Sequence, residues 1–343
     1  MAIRSNSFQL SDLWVEAIRP VCNAQGYLNY EDFSRLALFH ETLGYYRRET
    51  VRVGKSADRD FYTSSSHSRV FPDLVIAACE HLLAESGLPI SSFEFCEIGA
   101  EPGVDPWRER TLPFAGYRIL RLGQAFEIPE FAVVYSNELF DAQPFHRWLA
   151  QNGKWCPIHL CMQGNQLSEV IASQPLTESE ARATALLPKA PAMEYHLDWS
   201  TAASELMQNI VNTSWNGLLL AFDYGMSWKQ RIEETPQGTA RAYRSHRQIE
   251  DLFHNPGAQD LTTHVCWDAL SAVLKNAGFG SIRIHSQSRF FLEHAAPSLQ
   301  QIITASNTLT DPRKGQLLEL ISPGFFGQKF QVLSALRGEI RTS

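Results

Sequence analysis

The stretch Phe93-Glu94-Phe95-Cys96-Glu97-Ile98-Gly99-Ala100-Glu101-Pro102-Gly103 decides how the chain is read. A β-prone apolar run ends in an acid, Glu97, then breaks into a turn holding Gly99 and Gly103. In an α/β protein this is the corner where a strand leaves the carboxyl edge of a parallel sheet, and ligands bind along that edge. Glycine lets the backbone come close to a ligand and take φ values that other residues avoid. Glycine-rich turns after strands are common, so the corner alone does not define a site.

Two further stretches repeat the pattern. Phe131-Ala132-Val133-Val134-Tyr135-Ser136 reads as a buried strand running into Asn137-Glu138-Leu139-Phe140-Asp141-Ala142. Leu218-Leu219-Leu220-Ala221-Phe222 runs in the same way into Asp223-Tyr224-Gly225. Three strand ends bearing acid, amide or glycine are expected in one parallel sheet, converging on one crevice. Helix capping is the plainer role for Asn137, Asp141 and Asp223, since such side chains commonly satisfy the first N–H groups of a helix.

Around these corners, residues 8–48 read as mostly helical, with breaks near Pro20 and Gly26 and with Asn29 as an N-cap. Residues 68–86 form an amphipathic helix carrying Val70, Phe71, Leu74, Val75, Ala78, Leu82 and Leu83 on one side. Residues 117–122 alternate as a strand. Segments 146–150, 155–162 and 167–172 suggest a small antiparallel excursion, followed by a polar linker and a helix over 202–211. A long polar loop over 226–263, a helix over 267–277, a strand over 281–285, a helical stretch over 297–320 and a closing strand over 330–336 complete the chain.

Composition bounds the function. The 343 residues are 44% hydrophobic and 20% charged, enough for one elaborated α/β domain or two smaller ones. A formal charge of −7 argues against a nucleic-acid partner, which usually calls for a basic balance. The six cysteines form no CxxC pair and no Cys/His metal spacing, so no metal is expected. Cys156 and Cys161, beside His159, fall on one strand at an odd spacing and should point to opposite faces. Residues 1–15 are not read as a secretory signal, and no apolar run reaches the roughly 18 residues that span a bilayer. Reduced thiols, a cytoplasmic setting and no membrane association are the resulting expectations.

In order along nearly its whole length, the chain resembles the MidA-like class I S-adenosylmethionine-dependent methyltransferases, whose mitochondrial members are assembly factors for respiratory complex I. The resemblance runs through Gly44-Tyr45-Tyr46, Asp60-Phe61-Tyr62-Thr63-Ser64, the corner at 97–103, and Asn137-Glu138-Leu139-Phe140-Asp141-Ala142-Gln143-Pro144. It continues through Asp223-Tyr224-Gly225, Tyr243-Arg244-Ser245-His246, residues 256–265 (Pro-Gly-Ala-Gln-Asp-Leu-Thr-Thr-His-Val) and Gly327-Gln328-Lys329-Phe330. It implies a single elaborated domain over 1–343. Its parts are a Rossmann-like core (61–145 and 215–343), a helical N-terminal extension (1–60) and an insertion (146–214).

The implied reaction is methyl transfer from S-adenosylmethionine to an arginine of a protein, which is the expected partner, with a homodimer as the implied assembly. Phe61, Tyr62, Thr63, Glu97, Gly99, Gly103 and Asn137 take the cofactor side in this reading, the first three as a lid. Glu138 and Asp141 take the guanidinium, with His246, Asp260 and His264 walling the acceptor side.

The sequence also departs from the family. The middle glycine of its first corner is replaced by Glu101, followed by Pro102, which has no N–H to donate. A carboxylate there could repel the cofactor's own carboxylate by about 1 kcal/mol in water and several times more in a partly dry site. The interval from Gly99 to Asn137 is short, and the strand at 117–122 ends in Gly123-Gln124-Ala125 without the acid that grips the ribose. Two readings follow, a methyltransferase with an altered cofactor grip and a catalytically lapsed relative that binds a protein segment. A hydrolase is disfavoured, since there is no Gly-x-Ser-x-Gly elbow and no metal-ligand cluster.

Overall fold

The computed structural model describes residues 2–47, 69–103, 105–107, 110–245, 247–305 and 311–338, with backbone only over 2–6. The described residues fall into two compact units. Residues 69–140, 206–225 and 269–338 form a parallel unit, and residues 2–47, 141–205 and 226–268 an antiparallel unit.

The parallel unit is built on six strands. In spatial order they are Phe279–Ser286, Gln331–Arg337, Asn216–Asp223, Phe131–Asn137, Glu94–Ile98 and Gly116–Leu120. The last four run parallel, and Gln331–Arg337 returns antiparallel beside Asn216–Asp223. The two central strands are continuous apolar runs because both faces are covered, as parallel sheets require. The chain leaves Glu94–Ile98 outward to Gly116–Leu120, then crosses back to Phe131–Asn137. Strand order therefore reverses between Glu94–Ile98 and Phe131–Asn137, the switch point where doubly wound sheets place ligands.

Helix Phe71–Ala84 lays Phe71, Leu74, Val75, Ala78 and Leu82 onto one core with Phe95, Val133, Tyr135, Leu220 and Phe222 from the sheet. Each such large side chain, fully buried, contributes roughly 2 kcal/mol. Phe290 and Phe291, from helix Gln287–His294, close the same core, and Phe222 meets Phe71 edge-on at 5.3 Å. The described residues between Ile98 and Gly116, and those over 121–130, hold no helix or strand. The segment after the first strand is thus shortened as expected, and Gly116–Leu120 forms the sheet edge.

In the antiparallel unit the strands follow the order Ala2–Gln9, Gln166–Ile171, Lys154–Gln163, His146–Gln151 and Tyr195–Trp199. Tyr27–Asn29 pairs with Lys154–Gln163, Leu28 opposite Leu160. The expected helical extension needs correction. Helices Asp12–Ile18 and Tyr30–Phe39 are present, but Ala2–Gln9 and Tyr27–Asn29 are strands, because their backbone groups bond to the sheet of the 146–214 segment. Asn29 caps the second helix as expected, its side chain accepting the Asp32 N–H at 2.8 Å. The 226–263 segment is also more ordered than a loop, with Arg241–Arg244 pairing with Arg247–Ile249 and Asp260–Thr262.

Arg147 sits buried in this unit and donates to Glu169 at 2.6 Å and to Asp198 at 2.8 Å. Tyr30 donates its hydroxyl to the same Glu169 oxygen at 2.6 Å, and the other Asp198 oxygen accepts the N–H groups of Thr239 and Ala240. His159 pairs with Glu180 inside the unit, while Cys161 on the same strand is buried and Cys156 half-buried. Among the described residues no helix is long and apolar enough to cross a membrane.

Candidate functional site

The switch point collects four of the expected site residues. Gly99 and Gly103 take φ of +81° and +76°, the left-handed values that glycine adopts freely. Gly99 donates its N–H to Leu120 O at 2.9 Å, and Glu138 donates its N–H to Phe222 O at 2.9 Å, so both corners are pinned to neighbouring strands. Gly99 and Gly103 are exposed, while Asn137 and Glu138 are half-buried. The Asn137 amide donates to Glu138 Oε1 at 3.0 Å. Glu138 has φ of +50°, a strained conformation for a non-glycine residue that costs about 1–3 kcal/mol and persists where surroundings enforce it.

Glu97 does not lie open at this edge. It is buried, and its Oε2 accepts the Trp107 indole N–H at 2.9 Å and the Tyr117 hydroxyl at 2.7 Å. Burial pushes its carboxyl above the usual range, with those two hydrogen bonds working in the opposite direction. Trp107 packs against Phe95 at 4.7 Å and Tyr135 at 5.4 Å. Glu97 thus fastens the shortened 99–115 segment to the sheet. Sequence reading passed over Trp107, although a lone tryptophan in a polar segment signals burial.

Asp223 serves as a cap. Fully buried, it accepts the Phe140 N–H at 2.9 Å and the Tyr224 N–H at 2.8 Å, the plainer role already open for it. At the tip of Gly116–Leu120 stand Arg121, Leu122, Gly123 and Gln124, and the Gln124 side-chain oxygen accepts the Arg121 N–H at 2.6 Å. No acid occupies that tip.

Asp141 and Asp260 belong to the antiparallel unit, both buried. Asp260 lies opposite Tyr243 in the strand pair, and its Oδ1 accepts the Tyr46 hydroxyl at 3.0 Å. Burial first, then the charges of Asp141 and Asp260, raise the Tyr243 hydroxyl's pKa, with Arg241 opposing. The two acids and two tyrosines therefore form one acidic, aromatic cluster. His264 is pushed down to about 4 by burial and by Arg231 and Arg241, so it is neutral at physiological pH, and its carbonyl accepts from buried Arg231. Phe61, Tyr62, Thr63 and His246 lie outside the described residues.

Residues 117–284 match the family described as "Putative S-adenosyl-L-methionine-dependent methyltransferase". The mitochondrial protein arginine methyltransferase NDUFAF7 homolog of Caenorhabditis elegans is 25% identical over 212 residues, 57% of this chain and 46% of that protein. Its Drosophila melanogaster counterpart is 25% identical over 207 residues, 54% of this chain and 45% of that protein. The chain thus matches under half the length of these curated relatives.

A Burkholderia thailandensis protein crystallised with S-adenosyl-homocysteine superposes with a TM-score of 0.78 at 22% identity, covering 96% of this chain and 93% of that one. A native structure from the same organism gives 0.72 at 22% identity, covering 96% and 92%. The cytoplasmic expectation is overturned here, since both curated relatives are mitochondrial, and reduced thiols do not distinguish the two compartments. The matched segment and the curated relatives support a place for the chain in the MidA-like methyltransferase family, and the solved structures share its fold across nearly the whole length.

Proposed function

We propose that this protein is an S-adenosylmethionine-dependent methyltransferase acting on an arginine of a protein substrate. The observation that carries the reading is Glu138, a carboxylate held at φ +50° on the carboxyl end of Phe131–Asn137, beside the switch point. The family description and the relatives' names as protein arginine methyltransferases support it.

The corner suits the cofactor. Gly99 and Gly103 leave exposed backbone at the switch point, open to a ligand. The corner at 97–103 and Asn137 would hold it, with Glu97 acting through Trp107 and Tyr117 to shape the loop. When bound, S-adenosylmethionine supplies an electrophilic methyl group. Glu138 orients the acceptor guanidinium through charge-assisted hydrogen bonds and draws its positive charge away from the attacking nitrogen. Asn137, bonded to Glu138 Oε1, fixes the carboxylate's rotamer. In the other unit Asp260 holds the Tyr46 hydroxyl, and the charges of Asp141 and Asp260 raise the Tyr243 pKa.

The second reading, a lapsed enzyme kept as a binding protein, is favoured by one observation: Gln124 is engaged with Arg121, and no acid stands at the ribose position. Calorimetric titration with S-adenosylmethionine and S-adenosylhomocysteine separates the two. Micromolar binding is expected. A folded protein that takes up neither compound at millimolar concentration would establish the second reading instead.

A further inference from the structure

At the opposite edge of the parallel sheet, a cluster of histidines and glutamates has no part in the reaction proposed above. His81 and Glu85 lie one turn apart at the end of helix Phe71–Ala84, with Glu85 as its C-cap. His294 ends helix Gln287–His294, buried beside Phe290. One ligand atom from each of His81, Glu85 and His294 lies within 4.8 Å of the others. His285 and Glu293 flank His294 on the same scale, with Glu293 also meeting Arg289 at 3.3 Å and Arg283 reaching Glu85 at 4.0 Å.

The central distance is informative. The Nδ1 atoms of His81 and His294 face each other at 3.3 Å. This is long for a hydrogen bond between ring nitrogens. Two ligands on a tetrahedral zinc, each about 2.0–2.1 Å from the ion, stand about 3.3–3.4 Å apart. We propose that His81, Glu85 and His294 bind a divalent transition-metal ion of the zinc class. Two imidazoles and a carboxylate form a set that suits Zn2+, Co2+ or Ni2+ and not Mg2+ or Ca2+, which take oxygen.

Two features support a site and not a chance cluster. His294 is 1% exposed, and its Nε2 has no hydrogen-bond partner among the described residues. Its ring is therefore fixed by packing, with one nitrogen already directed at His81. His81 and Glu85 are both exposed, so the cluster stands open to an ion and to water as a fourth ligand. The ion ties helix Phe71–Ala84 to helix Gln287–His294, so it stabilises the core of the parallel unit by mass action. The pair His81 and Glu85 was legible as an i,i+4 spacing, but His294 lies too far along the chain for any sequence pattern to join it to them.

The full-length protein, stripped with a chelator, should bind one Zn2+ per chain at micromolar or tighter affinity in calorimetry. Its unfolding temperature should rise with Zn2+ and not with Mg2+. His81→Ala and Glu85→Ala, both at exposed positions that leave the core intact, should each weaken binding by at least about tenfold. Co2+ in place of zinc should give tetrahedral absorption without a sulfur charge-transfer band. No saturable Zn2+ binding, unchanged affinity in both variants, or a thiolate band placing the ion on cysteine would each overturn the proposal.

Discussion

Leu139 Cδ1 lies 2.6 Å from where a Cβ on Gly99 would stand. Two corners from different parts of the chain meet there, so glycine at 99 is required by packing as well as by its φ of +81°. Gly99→Ala should lower stability by about 1–2 kcal/mol from backbone strain alone, before Leu139 yields. A denaturation midpoint equal to wild type would show that the corner relaxes freely.

Glu138→Gln keeps an oxygen for the Asn137 amide and removes the charge. Methylation of an arginine acceptor should fall by about 100-fold or more, while stability shifts by less than about 0.5 kcal/mol. Unchanged turnover would remove Glu138 from the mechanism.

Arg147→Met leaves Glu169 and Asp198 buried without their cation. Breaking a buried ion pair from one side costs about 3–5 kcal/mol, because the remaining charges stay desolvated. Urea titration reads this directly. A loss below about 1 kcal/mol, the scale of a surface pair, would mean that water replaces the guanidinium.

Acid should probe the same network. Burial opposes the charged form of Asp198, but Arg147 and the Ala240 N–H outweigh it and hold the carboxyl below its usual range. The unfolded chain takes up its proton near pH 4, so the stability from Asp198 is full above about that pH. It drains away as pH falls through the lower folded value. Asp198→Asn, weaker at neutral pH, should show a flatter acid limb in midpoint against pH. An equally steep limb would place the acid sensitivity elsewhere.

Much of the parallel unit was legible because its determinants are local. The continuous apolar runs at 131–137 and 216–223 and the glycine corner each announce themselves within a few residues. The antiparallel unit was legible only in part: the strands over 146–150, 155–162 and 167–172 and the Asn29 cap could be read, the rest of its sheet could not. Its Asn152-Gly153 turn, with φ of +52° and +71°, carried a hairpin signal, but the pairing of Ala2–Gln9 with Gln166–Ile171 has no local signature. Helix Gln287–His294 hid because Gln287 and Ser288 read as polar, although both are buried. At the site, Glu138 and Asn137 could be picked from their strand end. The capture of Glu97 by Trp107 and Tyr117 depends on tertiary packing, which residue type alone does not reveal.

The antiparallel unit is drawn from three separated stretches of chain, and this sets a timetable for synthesis. Phe8 pairs with Leu167, so the first strand emerges from the ribosome roughly ten to thirty seconds before its neighbour exists. Asp198 then waits for Thr239 and Ala240 to supply their N–H groups. During this delay the nascent strands present unpaired edges, the form most prone to pairing with other chains. The unit closes late in translation, and those edges stay open until residues 239–240 have been made.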